Sequence, residues 1–284
     1  MGVSFNRFGN EPERIDATVD SERLAGNASL VATRRRTGLK GPVAAQLLEF
    51  NLLPSRTLHP AHAARLSPPQ GIEHAQPRVQ AALHRRWSSR LLQDLGAEGA
   101  PVTNLAEPAL PLALLTPPLM QRLARDLGIV LLGANLRRLV EREEVLAARS
   151  SLGQEGMTWA LEGAAKLHAG LPTPPLHLSN HNHNHNHNHN HNHNHNHNHE
   201  PSLQPLSPRT PGWASLADSL GAGLLAQAWY DAPPPLRHRA DWKLPPAAQD
   251  ARTRGAAGLT EPEARALCLQ RLKQMESVWL SSFS

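Results

Sequence analysis

Apolar positions in this chain recur at the spacing of helices rather than of strands. In VAAQLLEFNLLP, residues Val43, Leu47 and Phe50 fall about one helical turn apart and the pattern stops at Pro54, so a short helix is expected there. From Pro77 to Leu95, residues Val79, Leu83, Trp87, Leu91 and Leu95 recur every fourth position while Arg85, Arg86 and Arg90 take other faces, with Gly96 as C-cap. Pro108, Pro111, Pro117 and Pro118 punctuate an extended stretch. Thr116 is the expected N-cap of the run LMQRLARDLGIVLL, whose stripe is Leu119, Leu123 and Leu127. The block NLRRLVEREEVLAARSSLG reads as a further helix with Leu136, Leu139 and Val140 on one face, ending at Gly153. Residues Gln154 to His168 continue it with Met157, Leu161 and Ala164. Farther on, Trp213, Leu216, Leu220, Leu224 and Trp229 mark another helix, stopped by Pro233, Pro234 and Pro235. The last helix starts near Glu261, where Thr260 and Glu263 have capping-box spacing, and carries the stripe Cys268, Leu272, Met275 and Trp279.

Two stretches break this rhythm. Residues 1–41 mix charges with Gly, Asn and Ser without apolar periodicity and read as a flexible tail. Residues 172–211 turn abruptly to Pro, Ser, Thr, His and Asn, the composition of a low-complexity linker or insertion. The expected organisation is one helical domain over 42–284, interrupted by that insertion, because the closing helices are too few to bury their own stripes.

Composition sharpens the fold class. The 284 residues include 45 Leu against 3 Ile and 10 Val, and only 4% are aromatic, which leaves little to build sheet from. The expectation is an all-α, compact bundle of short amphipathic helices. The net charge of +5 comes from 29 Lys and Arg against 24 Asp and Glu, spread along the chain apart from Arg34, Arg35 and Arg36. Such dispersal argues against a nucleic-acid binder, which gathers its cations on one face and adds aromatics for stacking. No run approaches the roughly 20 apolar residues of a membrane span, and the first residues lack a secretory h-region. With the lone Cys268 ruling out an internal disulfide, a reducing, cytoplasmic setting is expected.

The loudest chemical signal is the alternating His-Asn tract, which holds His181, His183, His185, His187, His189, His191, His193, His195, His197 and His199. Alternate imidazoles in extended backbone bind zinc, nickel or copper adventitiously, but no carboxylate or Cys cluster completes a site. His59, His62, His74 and His84 show no ligand spacing, and Cys268 sits on an apolar stripe, where a thiol serves as a small hydrophobe. The six Trp fall among Leu at helical spacing as core anchors, with Trp279 near the end as an alternative docking residue. Glu143 and Glu144 sit beside Arg142 and Arg149 on a solvated face. With no phosphate loop, GxGxxG, HExxH, GxSxG or CxxC pattern, no catalytic residue, cofactor or resident metal is expected, and the chain reads as a non-enzyme.

Particular segments carry a family resemblance. EFNLLPSRTLHPAH, from Glu49 to His62, resembles an N-terminal signature of the SctK proteins of type III secretion systems, YscK and PscK among them. In order, the block from Leu110 to Trp159 is similar to that family's central Leu- and Arg-rich helices. GWASLADSLGAGLLAQAWYDAPPPLRHRADWKLP and RLKQMESVWLSSF are similar to its C-terminal region. The resemblance implies a cytosolic, helical, non-enzymatic adaptor of the injectisome sorting platform, recruited to the inner-membrane face of the apparatus without inserting in the membrane. It implies as partners the cytoplasmic domain of an SctD-like ring protein and an SctQ-like platform protein, and through the latter SctL and the SctN ATPase. No motif marks partner-contact residues. A histidine-rich metal buffer and a basic nucleic-acid-binding protein are the alternative readings of the sequence.

Overall fold

A computed structural model of the chain describes residues 41–171, 212–253 and 258–283. These residues are all-α, with no strand among them. The helices are α1 (Gly41–Leu52), α2 (Pro60–Arg65), α3 (Pro77–Asp94), α4 (Leu110–Ala113), α5 (Pro117–Leu136) and α6 (Arg142–Thr158). A π-turn at Trp159–Gly163 leads into α7 (Ala164–Leu167), followed by α8 (Trp213–Ala228), α9 (Pro234–Asp241), α10 (Ala247–Thr253), α11 (Glu261–Met275) and α12 (Ser277–Leu280). The expected tail lies outside the described residues apart from Gly41, which opens α1, and so do the insertion and its His-Asn tract.

Helix α5 is the axis of the molecule. Its Leu123, Leu127, Leu131 and Leu132 are wholly buried, each such side chain contributing about 1.5–3 kcal/mol on removal from water. Helix α8 lies against it at backbone contact, made possible by two glycines. A Cβ on Gly128 would collide with the carbonyl of Ala217, and one on Gly221 with the carbonyl of Ala124. Around this pair, the main core takes Val43, Leu47 and Phe50 from α1, Leu110 and Leu112 from α4, Leu236 from α9 and Leu267, Cys268 and Leu272 from α11. A second cluster joins Ile129, Leu132 and Leu136 of α5 to Ala148 and Leu152 of α6, Met157, and Leu216 and Ala217 of α8. A third, smaller cluster sets Trp87 and Leu91 of α3 on Ile72, with Leu58, Leu66 and Trp242 around them.

Several local expectations need correction. Leu136 does not share a helix with Leu139 and Val140. It closes α5, a turn follows with the Leu139 N–H donating to the Leu136 carbonyl, and Val140 stands 90% exposed. A new helix starts at Arg142, with Glu143 and Glu144 in the first turn, where carboxylates complement the helix dipole. The expected end at Gly153 does fall there: its φ of 77° and ψ of 169° break the helix, and the chain then resumes helical form within α6. Leu161 leaves the stripe of Met157 and Ala164 because the π-turn adds a residue to the turn, with the Ala164 N–H bonded to the Trp159 carbonyl, so Ala160 is buried and Leu161 is 50% exposed. Val79 is exposed as well, since the first turn of α3 projects past its core partners. Helix α8 ends at Ala228 with Trp229 as its C-cap, before it reaches the proline run at 233–235 expected to stop it; the run instead opens α9, where Pro234 needs no N–H at the first helical position. Within the stretch read as extended, Leu110–Ala113 forms the short α4.

Candidate functional site

An open groove of about 1010 Å³ runs between α5, the end of α6 with its π-turn, and α11. Its floor is held by a chain of charged and aromatic contacts. Arg125 of α5 donates from Nε and Nη2 to the two carboxylate oxygens of Asp218 on α8, at 2.9 and 2.7 Å. This bidentate pair fixes the rotation of α8 on α5. The side-chain bond with Asp218 also raises the Arg125 pKa, so the guanidinium stays charged throughout the accessible pH range.

One residue along, Asp126 faces the other way. Its Oδ2 accepts from Nε and Nη2 of Arg271 on α11 at 3.0 and 2.6 Å, and its backbone carbonyl accepts from the Trp159 indole at 3.3 Å. The Arg271 guanidinium lies over the Trp159 ring, 3.7 Å from the centroid. Three segments distant in sequence are thereby tied together. The π-turn makes room for the ring, because a Cβ on Gly163 would run into it. Along the rim, the side chains of Glu155, Glu162 and Lys166 make no hydrogen bond or ion pair among the described residues, and Arg122 reaches Glu276 only at 3.6 Å. The arrangement sets the Trp159 ring, Ile129, Leu152 and Met275 beside charges of both signs, which suits a protein surface.

Two further cations are enclosed by helix packing. Lys243 is buried, its Nζ donating to the carbonyls of Ala113, at 2.7 Å, and Leu115 and lying 5.6 Å from the Phe50 ring. Burial pushes its pKa down to about 7, and a neutral amine has two N–H groups for those two carbonyls. Arg239 is buried too and lowered to about 10 by desolvation. It ties α9 to the turn before α4 through the carbonyls of Glu98 and Gly99, at 3.4 and 2.7 Å. Sequence reasoning passed over both residues, because nothing local distinguishes a lysine or arginine that helix packing will bury.

Among the described residues, the histidines read from the sequence do not gather into a ligand set. His59 caps α2 by accepting the Ala61 N–H on Nδ1 at 3.2 Å, His84 Nδ1 lies 2.9 Å from the Ser55 hydroxyl, and His62 and His74 lie apart from any ligand set. Burial lowers the pKa values of His59, His62 and His84. Among the described residues no group of three or more His, Cys, Asp or Glu is placed to hold a metal ion. The ten histidines from His181 to His199 lie outside the described residues. Cys268 is enclosed in the main core, where burial raises its thiol pKa and keeps it protonated. Trp279 is half-buried against the core instead of standing out for docking, its indole donating to the Pro111 carbonyl at 3.1 Å and its ring edge-on to Phe283. Among the described residues no helix is long and apolar enough to cross a membrane. Comparison of the chain with protein families, with curated proteins and with solved structures returns no match in any of the three.

Proposed function

We propose that this chain is a non-enzymatic adaptor of the type III secretion sorting platform. It bridges an SctD-like ring protein and an SctQ-like platform protein in the cytoplasm, at the inner-membrane face of the apparatus, and through the latter reaches SctL and the SctN ATPase. One observation carries the reading. The central and C-terminal segments that resemble the SctK family meet at the groove, where Trp159 of the first stacks on Arg271 of the second. The residues that carry the resemblance therefore build one face, with an aromatic floor and charges of both signs around it, as protein interfaces of the non-obligate kind have.

The test is co-purification of the full chain with the cytoplasmic domain of the ring protein and with the platform protein of a type III system. Recovery of a complex with each is expected. Binding to neither by the folded chain overturns the reading.

A further inference from the structure

A second groove, of about 620 Å³, lies between α3 and the loop Ser67–Pro69. We propose that it is a docking site for a short acidic peptide segment, carrying leucine or aromatic residues, of a partner protein. The proposal is independent of the platform reading, since it holds for any partner that presents such a segment.

Three observations carry it. First, the groove has an apolar floor and wall, made by Trp87 and Leu83 on one side and Pro68 and Pro69 on the other, in the size range of ligand sites. Second, the wall is built in advance. The Trp87 indole donates to the Leu66 carbonyl at 3.1 Å, and Arg90 Nη2 donates to the carbonyls of Leu66 and Ser67 at 3.1 and 2.7 Å. These bonds hold Ser67 at φ 48°, in the left-handed region that a residue with a side chain seldom occupies. A wall fixed by three hydrogen bonds loses little freedom when an occupant arrives. Third, the charge is one-sided. Arg86 and Arg90 line the groove and no carboxylate does. Helix α3 carries Arg78, Arg85, Arg86 and Arg90 before its first acid, Asp94. Among the described residues Arg86 is exposed and makes no hydrogen bond or ion pair, so its planar fork is free for a carboxylate. A wholly charged ligand would leave the surface of Pro68, Pro69 and Leu83 unused, and a wholly apolar one would strand Arg86. An acidic segment with apolar residues satisfies both. A nucleic acid is disfavoured because Trp87 is buried and offers no open face for a base.

The test selects displayed random peptides on the full chain. A length of about ten residues covers the ~15 Å of α3 between Leu83 and Gln93. The selected peptides are then resynthesised with a fluorophore for anisotropy titration. The expected result is enrichment of Asp and Glu around Leu, Phe or Trp, and binding that weakens about tenfold or more in Arg86→Glu, with circular dichroism unchanged. Replacing the acidic positions of the peptide by Lys should restore binding to Arg86→Glu. The proposal is overturned if no peptide is enriched, if the enriched peptides lack carboxylates, or if Arg86→Glu leaves affinity unchanged. A concentration-dependent dimer, or salt-sensitive binding of a DNA duplex, that disappears in Arg86→Glu overturns it equally, since the groove then belongs to a second copy or to nucleic acid.

Discussion

The guanidinium of Arg271 is held between two partners more than a hundred residues upstream in the chain. It lies 3.7 Å above the ring of Trp159, while Nε and Nη2 both donate to one carboxylate oxygen of Asp126. Both side chains of the ion pair are mostly buried, at 16% and 19% exposure, so solvent screens the pair little. Arg271→Ala leaves Asp126 unpaired and strips one face of the Trp159 ring, and is expected to cost about 2–4 kcal/mol in urea unfolding. Arg271→Lys keeps the charge but not the stack or the fork, and should recover only part of that. A double-mutant cycle with Trp159→Leu should return a coupling of about 1 kcal/mol, and additive effects would show that the stack contributes nothing.

The contact of α5 with α8 reverses the usual sign of a glycine substitution. On helix propensity alone, Gly→Ala at Gly128 or Gly221 gains about 1 kcal/mol. Here the added methyl meets the backbone carbonyl of Ala217 or Ala124, which no rotamer change relieves. Each substitution is expected to destabilise by about 3 kcal/mol. Gly41, with no atom of the described residues within 4 Å of its Cβ position, serves as the control: there Ala should be neutral or slightly stabilising. Thermal melts of the three variants check the order.

Lys243 makes stability depend on pH. Its pKa falls from 10.5 when unfolded to about 7 when folded, because burial penalises the ammonium. Below pH 7 both states hold the proton and this residue contributes no slope. Between pH 7 and about 10.5 the unfolded state binds more protons, so stability rises with pH, by up to about 1.4 kcal/mol per unit. Lys243→Met removes that rise. Although the substitution leaves two carbonyls without donors, that cost does not vary with pH, and comparison of the slopes of unfolding free energy between pH 7 and 9 isolates the lysine.

The thiol of Cys268 reports core integrity. It is fully enclosed and held protonated by burial, so a disulfide-exchange reagent should modify it only through unfolding. The single thiol is expected to stay silent in native buffer and to react fully in denaturant. Rapid reaction of the native chain would mean that α11 opens readily from the core.

Helix faces were readable in the chain wherever one stripe met one core. Leu123 and Leu127 on α5, Trp87 and Leu91 on α3 and Leu216 and Leu224 on α8 are buried as their spacing predicts. Reading failed where geometry departs from a regular helix. The π-turn at Trp159–Gly163 has no periodic signature, so Leu161 was assigned to a face that it does not share, and Val140 belongs to a turn inside a block that scans as continuous helix. The groove was invisible for another reason. Asp126, Trp159 and Arg271 are ordinary members of three helical segments, and only the packing of α11 on α5 brings them together. Lys243 and Arg239 escape notice on the same grounds, since the carbonyls of Ala113, Leu115, Glu98 and Gly99 that receive them lie more than a hundred positions away, and only the Pro235 carbonyl is local to Arg239.

Whether the face between α5, the π-turn and α11 binds a component of the secretion apparatus is decided by photocrosslinking from within it. A photoreactive residue replaces Lys166, which lines the groove and is exposed, in cells whose type III system depends on this chain. A second strain carries the same residue at Arg149 on α6, outside the groove. The proposed function predicts a crosslink from position 166 to the ring or the platform protein, absent from position 149 and lost in Arg271→Ala. No crosslink to either protein from position 166, or the same products from both positions, would contradict it.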